Sequence, residues 1–531
     1  MLFNSYAFLF AFVPIAFLGY IVCSRFKAIY SVTWLSICSL TFYGIWNPAF
    51  LTLLLGSIAF NYLCGYYIGK IKGDGRKLVF TFAVFANLLA LGIFKYLGPF
   101  IEFSSRYGLL KDLTWLHIIL PLGISFFTFT QIGFLVDRLN GLADDLDPIR
   151  YTLFVTFFPH LIAGPILHVR DIGPQIVDPD TFKPKLAKIG PGLSLFILGL
   201  AKKVLIADPL AGTVAFGFGH PTELSMIEGW LTAITYTMQL YFDFSGYSDM
   251  AIGLAGIFGF RFPVNFNSPY KSRSIIEFWK RWHITLSNYI QILLYSPIAL
   301  MITRRRVAKG LKVSAKALKS PWVFLSLLVT PTLVTMGIAG IWHGAGLQFL
   351  IFGLLHGFYL CVNHAFRVYG NGSVADNAAE RSTFDALWKV GLTFIAAMFA
   401  FVFFRSVSVL SAVQLMSSMF GAHGLGLPHE LSHILHVPPK FHHELISDND
   451  NHVITANSII RLIVCFGLVW FVPNTQQWLG SYSPTLEGFT LYKWRVARWQ
   501  PNILWAVFLA VLLWAAVMNF NQSTTFLYFQ F

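Results

Sequence analysis

Apolar runs of roughly transmembrane length succeed one another along almost the whole chain, separated by short polar breaks. They begin at 2–23 and recur at 31–46, 50–69, 78–97, 117–136, 190–207, 230–258, 322–341, 347–368, 386–405, 459–479 and 502–520. A helix rises about 1.5 Å per residue, so about 20 residues cross a hydrocarbon layer of roughly 30 Å. The runs are uniformly apolar, not alternating in segments of about ten as barrel strands do. The pattern predicts an all-α polytopic membrane protein with roughly 11–12 transmembrane helices and a few shorter or re-entrant ones. The first run has no basic residue before it and no small-residue cleavage site after it, while Arg25 and Lys27 follow. It reads as an uncleaved first span with the N-terminus outside.

Two stretches break this rhythm. The segment 157–166, Phe-Phe-Pro-His-Leu-Ile-Ala-Gly-Pro-Ile, is apolar but interrupted by Pro159, Gly164 and Pro165. It is too short to cross and is expected to be re-entrant or buried in protein. The segment 284–303 is only half hydrophobic, contains Pro297, and lies between two basic clusters. Arg261, Lys271, Arg273, Lys280 and Arg281 precede it, and Arg304, Arg305, Arg306, Lys309, Lys312, Lys316 and Lys319 follow. Placing both clusters in the cytoplasm makes this segment dip in and return, or lie along the surface. The basic run 304–319 then touches anionic lipid or attracts an anionic donor substrate such as coenzyme A. The whole chain reads as one membrane domain: N-terminal spans over 1–150, a core over 151–368, and C-terminal spans over 369–531 with an outer loop at 406–458.

Composition sharpens this. Of 531 residues, 56% are hydrophobic and only 12% charged, about half the charge of a soluble domain. The net charge of +14 is carried mainly by short loops between apolar runs, which points to the inner face of a membrane, not to nucleic acid. The five cysteines show no paired spacing, so neither a disulfide framework nor a zinc site is indicated. His429, His433 and His436 would share one helical face, but no cysteine is near, and no metal is assigned.

Candidate chemistry is concentrated in four polar motifs. They are Phe158-Pro159-His160-Leu161-Ile162-Ala163-Gly164-Pro165; Tyr241-Phe242-Asp243-Phe244-Ser245-Gly246-Tyr247-Ser248-Asp249-Met250 with Asn265-Phe266-Asn267 beyond it; Phe278-Trp279-Lys280-Arg281-Trp282-His283; and Trp342-His343-Gly344-Ala345, with His356 further on. An ionisable group within a membrane usually faces a protein interior or a wet cavity and marks a pathway or an active site. His343, framed by Gly340, Gly344 and Gly346, is the first candidate. A desolvated, uncharged imidazole there accepts a proton, and backbone N–H groups at the glycine-rich break stabilise an oxyanion. His283 is a second acid/base or an orienting group, while His356 and His160 read as packing residues. Asp243 and Asp249 need partners, from the basic residues of 261–281 or the hydroxyls of Tyr241, Tyr247 and Ser248. They serve either a packing network or the chemistry itself. No Ser-His-Asp order or GxSxG elbow is present.

In this order the motifs, together with the closing Phe526-Leu527-Tyr528-Phe529-Gln530-Phe531, resemble the membrane-bound O-acyltransferase family, in particular its bacterial alginate O-acetylase-like branch. The resemblance implies a bundle around a central tunnel, with His343 the essential histidine and His283 the second motif histidine. Asp243, Ser245, Tyr247, Asp249, Asn267, Trp279, Trp282 and Trp342 would support the tunnel. Lys280, Arg281, Arg304 and Arg305 are candidate donor contacts. The resemblance further implies an acyl group, acetyl by preference, taken from a cytoplasmic thioester such as acetyl-CoA, with no bound cofactor. The acceptor would be an extracytoplasmic polysaccharide, the partner an SGNH-type acetyltransferase, and the location a bacterial inner membrane. The chain departs from that branch at 289–300, where an Arg-Asp pair and a paired glycine are replaced by apolar residues. Rival readings are a non-catalytic transporter or flippase, and a structural subunit of a polysaccharide export complex.

Overall fold

A computed structural model describes residues 2–106, 119–143, 146–370, 383–426, 456–488, 498–520 and 526–527. These are overwhelmingly helical, and the one β contact among them is an isolated bridge between Phe262 and Thr485. The protein is an all-α, multi-pass membrane protein. Among the described residues eight helices are long and apolar enough to cross a bilayer, and a ninth forms if the bent pair Asn457–Phe471 and Thr475–Tyr482 is one span. Phe8–Cys23, Val409–Met419 and Ile503–Met518 are shorter apolar helices.

Two expected spans turn out to be interior helices. Ile124–Leu139 starts only after Gly123, which has a left-handed backbone, and buries most of its length, Asp137 and Arg138 included. Met226–Ile257 is a single helix of 32 residues, and every residue from Met238 to Ala255 is buried. A helix covered on all sides is free to carry Asp243 and Asp249 where a lipid-facing one is not.

The segment 284–303 departs from expectation in the other direction. Ile284–Ala308 is one helical run, long and apolar enough to cross. Pro297 does not break it because it falls in the first turn of Ser296–Ala308, directly after the wide turn Gln291–Tyr295, where a missing N–H costs little. The proline-broken segment 157–166 is, as expected, buried in protein. It forms turns between the short helices Pro148–Thr156 and Val169–Val177.

Contacts divide the chain into two compact units. The first comprises Met1–Leu205, Asp243–Asn265 and Thr475–Gln530, the second Ile206–Phe242 and Phe266–Asn474. Within the first, the helix Leu186–Ala201 crosses the C-terminal half of Met226–Ile257 at two pairs of glycines. A Cβ on Gly199 would stand 2.5 Å from the Gly246 carbonyl oxygen, and one on Gly253 would stand 2.5 Å from that of Gly192. Both pairs repeat at a spacing of seven, so the backbones touch over two turns, as small-residue interfaces in membranes do. Polar pairs join the N-terminal helices: Asn61 and Asn87 exchange side-chain hydrogen bonds of 3.1 and 2.7 Å, and Gln131 donates to Ser57 at 2.9 Å.

Within the second unit, Pro321–His343 and Leu347–Tyr369 form a hairpin. Gly340 and Gly353 face each other across it, and a side chain on Gly353 would strike the Met336 carbonyl. His343 sits at its tip.

Candidate active site

The helix ending at His343 stops because Gly344 and Gly346 are fully extended. That break turns the chain and leaves the imidazole among aromatic rings. His343 is 7% exposed. Its ring meets Phe404 edge-on at 5.0 Å and Phe352 at 5.7 Å, beside Trp342 at 4.7 Å. At the break, the Gly344 N–H donates to the Ile341 carbonyl at 3.2 Å.

The second motif is built by a short capped helix, Ile275–Trp279. The Ser274 hydroxyl accepts from the Glu277 N–H at 3.2 Å, and the Glu277 carboxylate accepts from the Arg273 N–H at 2.7 Å. The first bond caps the helix, and the second ties the preceding residue of the chain to its first turn. Glu277 also pairs with Arg281 at 2.6 Å. The chain then turns through His283, whose φ of 42° is left-handed. A non-glycine residue there costs roughly 1 kcal/mol or more, and such strain gathers at functional positions. His283 is buried against Phe266, with ring centres 6.5 Å apart, and burial pushes its imidazole down to about 3. Trp282 lies 5.1 Å from both Phe266 and Phe401. Asn267 ties the strained turn to its neighbours: its N–H donates to the Arg281 carbonyl at 2.9 Å, and its side-chain oxygen accepts from Asn474 at 2.9 Å.

His356, read from the sequence as a packing residue, is the third histidine of this region. It is fully buried and lies parallel to Phe278 at 6.0 Å. Trp279 meets it edge-on at 5.0 Å and Phe352 at 4.9 Å. Phe352 therefore touches both His343 and His356, and Phe401 touches Phe352, His356, Phe278 and Trp282. One continuous cluster of rings joins the two imidazoles to the 278–282 motif, and His283 is reached through Phe266. The available signal was the stripe Phe349, Phe352, Gly353, His356 and Gly357, which is one helical face.

The aspartates find partners that the sequence reading did not name. In the first unit Asp243 pairs with Lys203 at 2.6 Å and accepts from the Leu527 N–H at 3.1 Å. Asp249 pairs with Lys202 at 2.6 Å and accepts from Thr475 at 2.7 Å and Gln476 at 3.1 Å. The glycine crossing brings two consecutive lysines against the helix that carries both carboxylates. Tyr247 stacks between Phe3 and Phe526, at 4.8 and 4.6 Å, and the Ser245 hydroxyl is buried without a partner among the described residues. His160 donates its Nε2–H to the Phe154 carbonyl at 3.0 Å, a structural bond.

The four candidate donor contacts do not converge. Lys280 and Arg281 precede the run Ile284–Ala308, whereas Arg304 and Arg305 lie near its far end, roughly 35 Å away by helical rise. Lys280, Arg304 and Arg305 are exposed. His429, His433 and His436 lie outside the described residues, as does the end of the closing motif, 528–531.

Comparison with known proteins gives a consistent answer. Residues 134–313 match the MBOAT, membrane-bound O-acyltransferase family. The peptidoglycan O-acetyltransferase of Helicobacter pylori is 37% identical over 463 residues, covering 81% of this chain and 81% of that protein. The probable alginate O-acetylase of Pseudomonas aeruginosa is 36% identical over 431 residues, 79% of this chain and 75% of the relative. A teichoic acid D-alanyltransferase of Bacillus subtilis is 27% identical over 295 residues, 55% of this chain and 70% of the relative.

Proposed function

The chain belongs to the membrane-bound O-acyltransferase family, and from that footing we propose how it uses its membership. It is a multi-pass membrane O-acyltransferase. In our reading it takes an acetyl group from a cytoplasmic thioester, acetyl-CoA or an equivalent carrier, and passes it toward an extracytoplasmic polysaccharide of the cell envelope. The protein works in the bacterial inner membrane with an SGNH-type acetyltransferase partner that completes the transfer.

His343 is the general base. Its imidazole takes the proton of the acceptor hydroxyl as that oxygen attacks the thioester carbonyl carbon. The carbon–sulfur bond then breaks, and the proton passes to the departing thiolate, leaving an ester and a free thiol. His283 orients the reactants; its left-handed backbone holds the ring in place at a cost in strain. Trp279, Trp282 and Trp342 wall the site and keep water out. Lys280 and Arg281 attract the anionic donor, while Arg304 and Arg305 contact anionic lipid.

One observation carries this reading. His343 is an imidazole buried at the tip of a glycine-packed hairpin, in the same ring cluster as the 278–282 motif. Replacing His343 with Ala is expected to abolish polymer-bound acetate, released by mild alkali, with protein level and thermal midpoint unchanged. Wild-type acetate in that variant removes His343 from the chemistry.

A further inference from the structure

Both ring nitrogens of His356 are buried without a hydrogen-bond partner among the described residues, and the side chain has no exposed surface. The neighbouring indole Nε1 of Trp279 is in the same condition. Phe278, Trp279, Phe352, Tyr359 and Phe401 surround the imidazole. A buried unsatisfied polar atom destabilises a fold, and a phenylalanine would fill the same box without that cost. Three such atoms on two adjoining rings, in the ring cluster that also holds the candidate base, point to a ligand.

The chemistry of the box narrows what that ligand is. Indole N–H only donates, and a neutral imidazole donates from one nitrogen. The walls are aromatic, and none of the five rings around His356 brings a charge. The matching group is therefore a small, uncharged, apolar-bodied one that presents an acceptor oxygen. Through Phe352, the imidazoles of His343 and His356 lie within about 11 Å of each other, centre to centre. A hydroxyl, the carbonyl it attacks and the hydrogen bonds at either end are together of that length.

We propose that His356 and Trp279 form the subsite for the acyl carbonyl of the thioester donor, with their N–H groups donating to its oxygen. This rests on the reading of His343 as the base. His356 keeps its proton throughout; its bond shortens and strengthens as the carbonyl oxygen gains charge in the tetrahedral intermediate, which favours the transition state over the ground state. The Gly344 N–H is already engaged by the Ile341 carbonyl, so the buried side-chain donors take that role.

The test uses the full-length protein. His356→Phe keeps an aromatic ring and removes both nitrogens. Polymer-bound acetate in cells carrying it is expected to fall about 100-fold, with a thermal midpoint equal to or above wild type. Trp279→Phe is expected to lose about tenfold, and His356→Gln, which restores a donor, to recover part of the activity. In purified protein, a ketone analogue of acetyl-CoA should raise the midpoint more than free coenzyme A does. His356→Phe should erase that difference while His343→Ala keeps it.

Wild-type acetate in His356→Phe overturns the proposal and leaves His343 untouched. Should that variant fail to accumulate, wild-type turnover by Trp279→Phe overturns it equally. No difference in acetate between wild type and a deletion strain instead removes the proposed function itself.

Discussion

Lys203 and Asp243 are 2% and 1% exposed and meet at 2.6 Å. Removing one member of such a pair leaves a bare buried charge, which costs about 3–5 kcal/mol, whereas replacing both with apolar groups is often neutral. Lys203→Met is therefore expected to lower the thermal midpoint sharply, and Lys203→Met with Asp243→Leu to recover most of the loss. A double variant as damaged as the single one would mean that the pair does more than hold the crossing. His283 makes a different prediction. Its imidazole, lowered to about 3 by burial, stays neutral in the fold while the unfolded chain takes up a proton below about 6.5. Acidification thus favours unfolding: this residue's contribution is intact above about 6.5 and is lost progressively down to about 3, on the order of a few kcal/mol. His283→Gln should flatten the decline of the midpoint between those limits, read relative to each protein's own midpoint at pH 8. An unaltered acid limb would show that other groups carry it.

At the scale of elements, two glycine contacts set the positions of the polar groups. The crossing of Leu186–Ala201 with Met226–Ile257 brings Lys202 and Lys203 to their carboxylates, and the hairpin contact of Gly340 with Gly353 places His343. Backbone cannot move aside as a side chain can, so added volume here separates whole helices. Gly199→Val is expected to cost about 3 kcal/mol or more, read as loss of detergent-stable protein. Gly56→Ala, which would meet nothing within 4 Å, serves as the tolerated control. Equal behaviour of the two variants would refute close backbone contact at Gly199. The wide turns Gln291–Tyr295 and Lys202–Ala207 also act at this scale. The first lets an apolar run continue up to a proline that would otherwise end it.

For the whole molecule, the continuous run Ile284–Ala308 changes the expected sidedness. If it crosses, the cluster ending at Arg281 and the cluster beginning at Arg304 face opposite sides of the membrane. In a variant cleared of its five native cysteines, single cysteines at Lys280 and Lys312 should react with an impermeant thiol reagent from opposite faces. Labelling from one face would restore the dipping segment. The family assignment, supported over about four-fifths of the chain, decides for an enzyme over the transporter and export-subunit readings. The proposed envelope role stands or falls with the acetate measurements.

Much of this was legible from residues in order. Apolar run length is a one-dimensional quantity, so most spans, the helical class and the buried segment at 157–166 could be read directly. The four motifs were equally visible, because polar groups stand out against an apolar background. What remained hidden depended on which helix lies beside which. The Lys202–Asp249 and Lys203–Asp243 pairs join residues some forty positions apart, through glycines whose meaning is apparent only once two backbones touch. His356 reads as an ordinary apolar-face residue until Phe352 and Trp279 close around it. Sequence by itself determined that the chain lives in a membrane and where its unusual polar residues occur. Only the tertiary structure decided which of them meet, since pairing is set by helix crossings that no local pattern encodes.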